Sequence, residues 1–423
     1  MLVNIFASNF LSFKDRVDFS LVCNDATNED AYFSIKKEYQ KKEKEYRLNK
    51  VNAIYWANAS WKTNILKIIQ FIKEMILRSH DQSFSSFSMW YKPFLLSNTI
   101  KDDSDFWVDF FIWDVLYSYS FTIDLTTSKI KKESLLEYKS QKATTLYKRI
   151  WQKFSINTEY FSEWKDRKQF VRENSLALSV FSNMSWEIST KIRNFFKEKV
   201  HIFLNRYNID GRFDMSDTIS MIDTQNDKFN PFLQDLLIAA DVNINRMDSK
   251  IEEIDANEVS WLPNWYPQDK KVKVFSNTFN HYIYDDAWNK VWDINFNPNY
   301  ESTWTKALVS LSWSFYNVLE NWMTLFVDEL DSSLHPLLVR EIVSKFNSIS
   351  NANGWQLIFS THDISLLDDS VLPKDQIRFL DKNKKWESSL YSLDDFNWIN
   401  RINNISKAYL LWKFDAIPHI WQF

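Results

Sequence analysis

The sequence predicts an α/β protein with a parallel core sheet, an antiparallel β-lobe and a helical insert. Three observations carry this expectation. The short apolar run VNAIY (51–55) passes through a polar loop into KTNILKIIQFIKEMILRS (62–79), whose apolar residues recur at helical spacing. The same alternation returns later as helix KALVSLSWSFYNVLE, strand MTLFVDEL, helix HPLLVREIVSKFNSIS and strand WQLIFSTHD, a pattern that implies parallel strands. Between these regions FWVDFFIWDVLYSYSFTIDL (106–125) alternates with a period of two and reads as a hairpin turning near Trp113-Asp114.

The remaining elements fit around that frame. VNIFASNF and RVDFSLV read as two strands joined by the turn LSFKD, and KKEYQKKEKEYRLNK (36–50) as a solvated connection or edge. From 131 to 270 the texture changes: ENSLALSVFSNMSWEISTKIRNFFKEKVHIFLNRY and DKFNPFLQDLLIAADVNINRMDSKIEEI follow a helical period. KVKVFS and VWDINFN restore strand texture, DQIRFLDKNKKWESSLYSLDDF reads as a β-hairpin, and the tail as short and helical. The expected organisation is an N-terminal lobe (1–130), a mostly helical insert (131–270) and a C-terminal lobe (271–423).

The formal charge of −4 shows no global basic bias toward nucleic acid. The single cysteine, Cys23, excludes an intramolecular disulfide framework and suits a reducing compartment. The N-terminus lacks the plan of a signal peptide, and no apolar run is long enough to span a bilayer. The expected setting is cytoplasmic, without a membrane partner.

Composition holds one anomaly. At an ordinary frequency of about 7% the chain would carry roughly 30 glycines; it has 2, and it has 20 tryptophans. Several tryptophans sit among turn-forming neighbours, in DDAWNK (Trp288), LENWMTLF (Trp322), NANGWQLIF (Trp355) and NKKWESS (Trp386). Those contexts call for the residue that takes positive φ at no steric cost. The expectation is that most of these tryptophans stand for glycines, as when a UGA codon read as glycine is translated as tryptophan.

Four motifs carry chemistry. YWANASWKTN (55–64) has the spacing of the phosphate loop G-x-x-x-x-G-K-[ST], with Trp56 and Trp61 at both glycine positions. Such a loop aims backbone N–H groups and a helix N-terminus at phosphate, with lysine as a mobile charge. Trp56, Ala57, Asn58, Ala59, Ser60, Trp61, Lys62, Thr63 and Asn64 are therefore candidate nucleotide contacts, and an indole at 61 would crowd the phosphates. In MTLFVDE, Asp328 at a strand's carboxyl end can hold Mg²⁺ and Glu329 can polarise the attacking water. In LIFSTHD, His362 follows an apolar strand and can hydrogen-bond a γ-phosphate. In ESTWTKALVSL, Ser302, Thr303 and Trp304 open a helix, an ordinary N-cap or, with glycine at 304, an anion seat.

In this order the pieces FLSFKDRVDFSL, YWANASWKTN, ESTWTKAL, LFVDELDSSLHP, LIFSTHD and KAYLLWKFDAIP resemble ABC-type ATPase heads of the SMC/RecF-like kind. They are most similar to compact bacterial AAA-type ATPases related to OLD-family and abortive-infection proteins. The departures, Trp56, Trp61, Trp304 and Trp412, all stand where that family has glycine. The resemblance implies a P-loop NTPase head binding ATP and Mg²⁺. Lys62 would contact the β- and γ-phosphates, Thr63 and Asp328 would position Mg²⁺, Glu329 would activate water, and His362 would sense the γ-phosphate. Ser302, Thr303 and position 304 would form a signature reaching the other protomer's nucleotide, and Asp331 and Ser332 a loop linking the two sites. No glutamine is assigned to the loop after the first helix. The resemblance also implies an ATP-sandwiched homodimer or higher assembly that controls a partner effector such as a nuclease in phage defence. A nucleotide-dead scaffold, with the tryptophans genuine, and a DNA-repair ATPase are the alternatives, and the charge does not indicate DNA as a partner.

Overall fold

The computed structural model describes the chain except residues 25–28, 40–41, 57–62, 82–90, 140–141, 160–167, 185–186, 205–214, 224–226, 241–243, 259–266, 268–269, 349–353, 397–403 and 412–423. The phosphate-loop positions 57–62 and Trp412 thus lie outside the described residues. The chain forms two compact units, one of residues 1–204, 321–331 and 339–423, the other of residues 205–320 and 332–338. The division falls near 204 and 320, whereas the sequence suggested boundaries at 130 and 270.

In the first unit, β1 (Leu2–Ser8) and β2 (Val17–Ser20) pair antiparallel across the turn at 9–16. The charged stretch expected to be a connection or edge is a two-stranded hairpin, β3 (Tyr32–Tyr39) and β4 (Lys42–Asn49). β5 (Val51–Trp56) is buried at every position, as a central parallel strand requires. It leads to α1 (Thr63–Arg78), whose Ile65, Ile68, Ile69, Ile72 and Ile76 form a buried stripe at helical spacing. Arg78 in its last turn complements the helix dipole.

Then come β6 (Ser104–Ile112), β7 (Val115–Asp124), β8 (Lys129–Tyr138), β9 (Thr144–Ile150) and β10 (Lys153–Ile156). With β1 and β2 they build a seven-stranded antiparallel sheet in the order β10-β9-β8-β7-β6-β1-β2. The β6–β7 turn is Trp113-Asp114, as expected, with Ile112 opposite Val115. This sheet runs well beyond residue 130, so the stretch assigned to a mostly helical insert begins with three strands. Glu133 ties the sheet to the next helix. Buried on β8, it accepts hydrogen bonds from the hydroxyls of Tyr119 (2.8 Å) and Tyr147 (2.7 Å). It also accepts from the backbone N–H groups of Ala177 and Leu178 at the start of α2 (Ala177–Asn183). These four donors and the buried Arg149 guanidinium, 3.5 Å from the carboxylate, offset the cost of burying it.

α3 (Glu187–Asn194) and a π-helical turn lead into β11 (Val200–Phe203), a strand where the sequence predicts helix. Only four residues long, it offers no period of its own, and it is the edge strand of a parallel sheet. The second unit holds α4 (Ser216–Asp223), α5 (Phe229–Ala239), β12 (Arg246–Asp255), β13 (Lys271–Tyr284), β14 (Lys290–Phe296) and all but the last residue of α6 (Thr303–Asn321). β12 was also read as helical, because Met247, Ile251 and Ile254 fall at helical spacing. The strand is largely exposed, so its apolar positions do not mark one buried face. In this unit Phe229 of α5 packs edge-on to Trp313 and against Tyr316 of α6, each at 5.3 Å.

The chain returns to the first unit with β15 (Thr324–Val327), most of α7 (Pro336–Asn347), β16 (Gln356–Ser360), β17 (Ile377–Lys382), β18 (Ser388–Ser392) and α8 (Ile405–Leu410). The six-stranded sheet has the order β11-β15-β16-β5-β17-β18, parallel except for the antiparallel edge strand β18. The fold is therefore α/β, with a parallel core sheet and an antiparallel lobe. Register sets Val327 opposite Phe359, Ser360 opposite Ile54 and Leu380 opposite Trp56. The carboxyl ends of β5, β15 and β16 thus share one edge, where ligands bind in open α/β sheets.

Candidate nucleotide site

Asp328 and Glu329 leave the end of β15, Ser360 and His362 sit at and just beyond the end of β16, and Thr63 is the first residue of α1. These residues come from sequence positions about 300 apart, and the parallel register gathers them. Thr63 Oγ1 donates to Asp328 Oδ2 at 2.6 Å, and Ser360 Oγ donates to Asp328 Oδ1 at 2.5 Å. Both oxygens of this buried carboxylate are engaged by hydroxyls, which fixes its plane.

The same serine accepts a hydrogen bond from the backbone N–H of Glu329 at 2.7 Å. Glu329 has φ 50, a left-handed conformation that costs a residue with a side chain about 1–2 kcal/mol. Ser360 therefore clamps two consecutive residues, orienting Asp328 by its side chain and Glu329 by its backbone. Sequence reasoning missed Ser360. The sequence shows only a hydroxyl closing the apolar run LIF; that this strand lies beside the one ending in Asp328 and Glu329 is a matter of register.

His362 is exposed, and its backbone N–H donates to Asp331 Oδ2 at 3.1 Å, linking the segment after β16 to the segment after β15. Thr361 is buried, and its N–H bonds Ile54 O at 3.0 Å, tying the histidine segment to β5. Tyr55 donates its hydroxyl to Asp363 O at 3.0 Å. Burial first, and then the neighbouring Asp363 and Asp331 carboxylates, raises the Tyr55 phenol well above the ordinary range, so it stays a neutral donor. Asn64 is buried and donates to Ser12 Oγ at 3.1 Å, anchoring the start of α1 to the β1–β2 turn.

Trp56 is almost fully buried, its ring 4.1 Å from that of His362 at an interplanar angle of 61°. An indole thus occupies the edge where the first loop glycine was expected. Ala57, Asn58, Ala59, Ser60, Trp61 and Lys62 lie outside the described residues. Ser302, Thr303 and Trp304 belong to the second unit, where Ser302 Oγ accepts the N–H of Thr305 at 3.0 Å. Ser302 thus caps α6, the ordinary N-cap that the sequence allowed.

The fit of a divalent cation is a question of donor chemistry. Thr63 Oγ1 and Asp328 Oδ2 are hard oxygens 2.6 Å apart, and Mg²⁺ is held by one or two protein ligands together with substrate phosphates. No group of three or more His, Cys, Asp or Glu side chains suited to a metal occurs among the described residues, so a dedicated all-protein cage is absent there. The residues present fit Mg²⁺ bound with a nucleotide.

A β-strand and a helix on a parallel sheet, an acidic pair at a second strand's carboxyl end and a histidine segment beyond a third strand accompany a match to an AAA-domain family. Residues 51–368 match the family described as "AAA domain, putative AbiEii toxin, Type IV TA system", and the chain belongs to that family. Among solved structures, an SMC head bound to the C-winged helix domain of ScpA is similar over 93% of this chain and 99% of its own, at 11% identity and TM-score 0.44. The SMC head domain from Thermotoga maritima is similar over 92% and 98%, at 14% identity and TM-score 0.41. An SMC head with an extended coiled coil from Pyrococcus furiosus, bound to the C-terminal domain of ScpA, is similar over 93% and 97%, at 12% identity and TM-score 0.43. No curated protein matches the sequence. Among the described residues, no helix is long and apolar enough to cross a membrane.

Proposed function

We propose that this chain binds ATP with Mg²⁺ at the carboxyl edge of the parallel sheet, dimerises around the nucleotide and hydrolyses it to control a partner effector. The observation that carries the reading is the hydroxyl–carboxylate–hydroxyl chain Thr63–Asp328–Ser360. A helix's first residue and a strand's terminal acid meet there through side chains that coordinate a hard cation as readily as each other. Thr63 and Asp328 would hold Mg²⁺, and Lys62 would neutralise the β- and γ-phosphates. When bound, Mg²⁺ supplies charge compensation across those phosphates. Glu329, presented from a left-handed backbone that Ser360 stabilises, accepts a proton from the attacking water. His362 hydrogen-bonds the γ-phosphate, and through Asp331 its position is coupled to the end of β15.

Hydrolysis removes the group that His362 and the second protomer's Ser302, Thr303 and position 304 would hold, so the dimer opens. An effector such as a nuclease, in a phage-defence setting, is the partner this cycle would switch. The test is nucleotide-dependent assembly: with glycine at 56 and 61, Glu329→Gln should give a stable dimer in ATP and a monomer in ADP. A monomer in both would sink the proposal.

A second reading has its own observation. The buried Trp56 indole beside His362 fills the edge, and a protein that truly carries it would be a nucleotide-dead scaffold. ATP affinity in the chain as written would exclude that reading.

A further inference from the structure

Five tryptophans have left-handed backbone: Trp113 (φ 55), Trp151 (φ 53), Trp288 (φ 62), Trp322 (φ 55) and Trp386 (φ 67). Among the described residues they make up half of the non-glycine positions with positive φ. Tryptophan is among the residues least suited to that region, since bulky side chains there are outliers. Each of the five, moreover, sits in a structure with a defined glycine requirement.

Trp113-Asp114 and Trp151-Gln152 are two-residue hairpin loops, between Ile112 and Val115 and between Ile150 and Lys153. In both, positive φ falls on the first central residue alone, the II′ pattern in which glycine holds that place. Trp288 and Trp386 occupy the same position in two loops of the same design. In one, Trp288 N–H bonds Asp285 O and Asp285 N–H bonds Asn289 O, each at 3.0 Å. In the other, Trp386 N–H bonds Asn383 O at 2.9 Å and Asn383 N–H bonds Glu387 O at 3.1 Å. In both, the leading Asx side chain accepts two further backbone N–H groups. This is a turn closed by a left-handed residue, again a glycine position. Trp322 follows the last residue of α6, where helices end in a left-handed glycine.

The side chains point the same way. Trp113 is 87% exposed and Trp288 83%, so these indoles bury almost none of the area that ordinarily justifies a tryptophan. The one glycine among the described residues, Gly354, is itself left-handed at φ 98. We infer that the functional polypeptide carries glycine at 113, 151, 288, 322 and 386, the written tryptophan being a UGA codon that the source organism reads as glycine. The turn geometry carries this without reference to nucleotide. Its extension to Trp56, Trp61 and Trp304 rests on the ATPase reading, and there it supplies the small residues that a phosphate loop needs.

The decisive experiment reads the gene and the native peptides together. All five codons should be UGA, and tandem mass spectrometry of the protein from its source should find glycine at each of the five positions. UGG codons, or tryptophan in those peptides, would overturn the inference. As a second measurement, recombinant chain carrying all five Trp→Gly substitutions should unfold at a thermal midpoint higher by roughly 4 °C or more. An unchanged or lower midpoint counts against it. Glycine at 56 and 61 in the native peptides without ATP binding would end the ATPase reading and leave the turn assignment standing.

Discussion

The sheet's carboxyl edge and the exposed turns both place residues with side chains in left-handed backbone, and they do so differently. At the edge, Glu329 holds φ 50 while its N–H is bonded by Ser360, whose own hydroxyl grips Asp328. The strain there is held by a buried hydrogen-bond network. At the turns, Trp113 and Trp288 carry the same strain with their rings in solvent. Strain at a working site is offset by surrounding contacts; strain with nothing in return marks a residue that does not belong.

That contrast can be broken experimentally at several points. The largest effect should come from Glu329→Gln in the chain with glycine at 56 and 61. Hydrolysis should fall on the order of 10²–10⁴-fold, the worth of a positioned general base, with ATP affinity retained. A phosphate-release assay showing unchanged turnover removes Glu329 from its role. Ser360→Ala should come next, leaving Asp328 and the Glu329 N–H each short of a buried partner. Unfolding in urea should show a loss of about 1–3 kcal/mol, and turnover should drop as well. Full stability in this variant would mean that the clamp is incidental.

Glycine substitutions sharpen the comparison directly. Trp288→Gly and Trp386→Gly should each raise stability by about 1 kcal/mol, through relief of left-handed strain. Glu329→Gly should relieve the same strain and yet abolish hydrolysis. Equal behaviour at all three positions would erase the distinction between strain that works and strain that does not.

The smallest effect concerns His201 on the edge strand β11. Burial, and then the charge of Lys73, lowers its pKa to about 4. The unfolded chain binds this proton at an ordinary pKa near 6.5 and the folded chain resists it. Its contribution is therefore present above about pH 6.5 and is lost as pH falls toward 4. His201→Gln should flatten that part of the stability–pH curve, and an unaltered curve would contradict the assigned shift.

Much of this was legible in the sequence because the parallel sheet leaves a strong signature. VNAIY, MTLFVDEL and WQLIFSTHD are buried on both faces and read as continuous apolar runs, and the hairpin at Trp113-Asp114 announced itself by alternation. What failed to show was set by context. VHIF is too short to display a period, and in RMDSKIEEID only Met247 is fully buried, so three apolar residues imitated a helix. The charged run 36–50 concealed a hairpin because Lys and Glu fill most of its paired positions, which leaves no apolar alternation to read. At the site, Asp328, Glu329 and His362 were visible as acids and an imidazole at strand ends. Ser360 was not, because a serine's role depends on which strand lies alongside, and register becomes visible only in the fold. Asn64 lay within the loop motif, but its side chain serves the β1–β2 turn.

The central claim is that the edge formed by Thr63, Asp328, Ser360 and Glu329 is a nucleotide site once small residues occupy 56 and 61. Titrating Mg·ATP into the Trp56→Gly, Trp61→Gly chain by calorimetry, with Lys62→Ala in the same background as the control, tests it most directly. The account requires saturable binding in the first protein and its loss in the second. Absence of binding in both, with each protein folded, would contradict it.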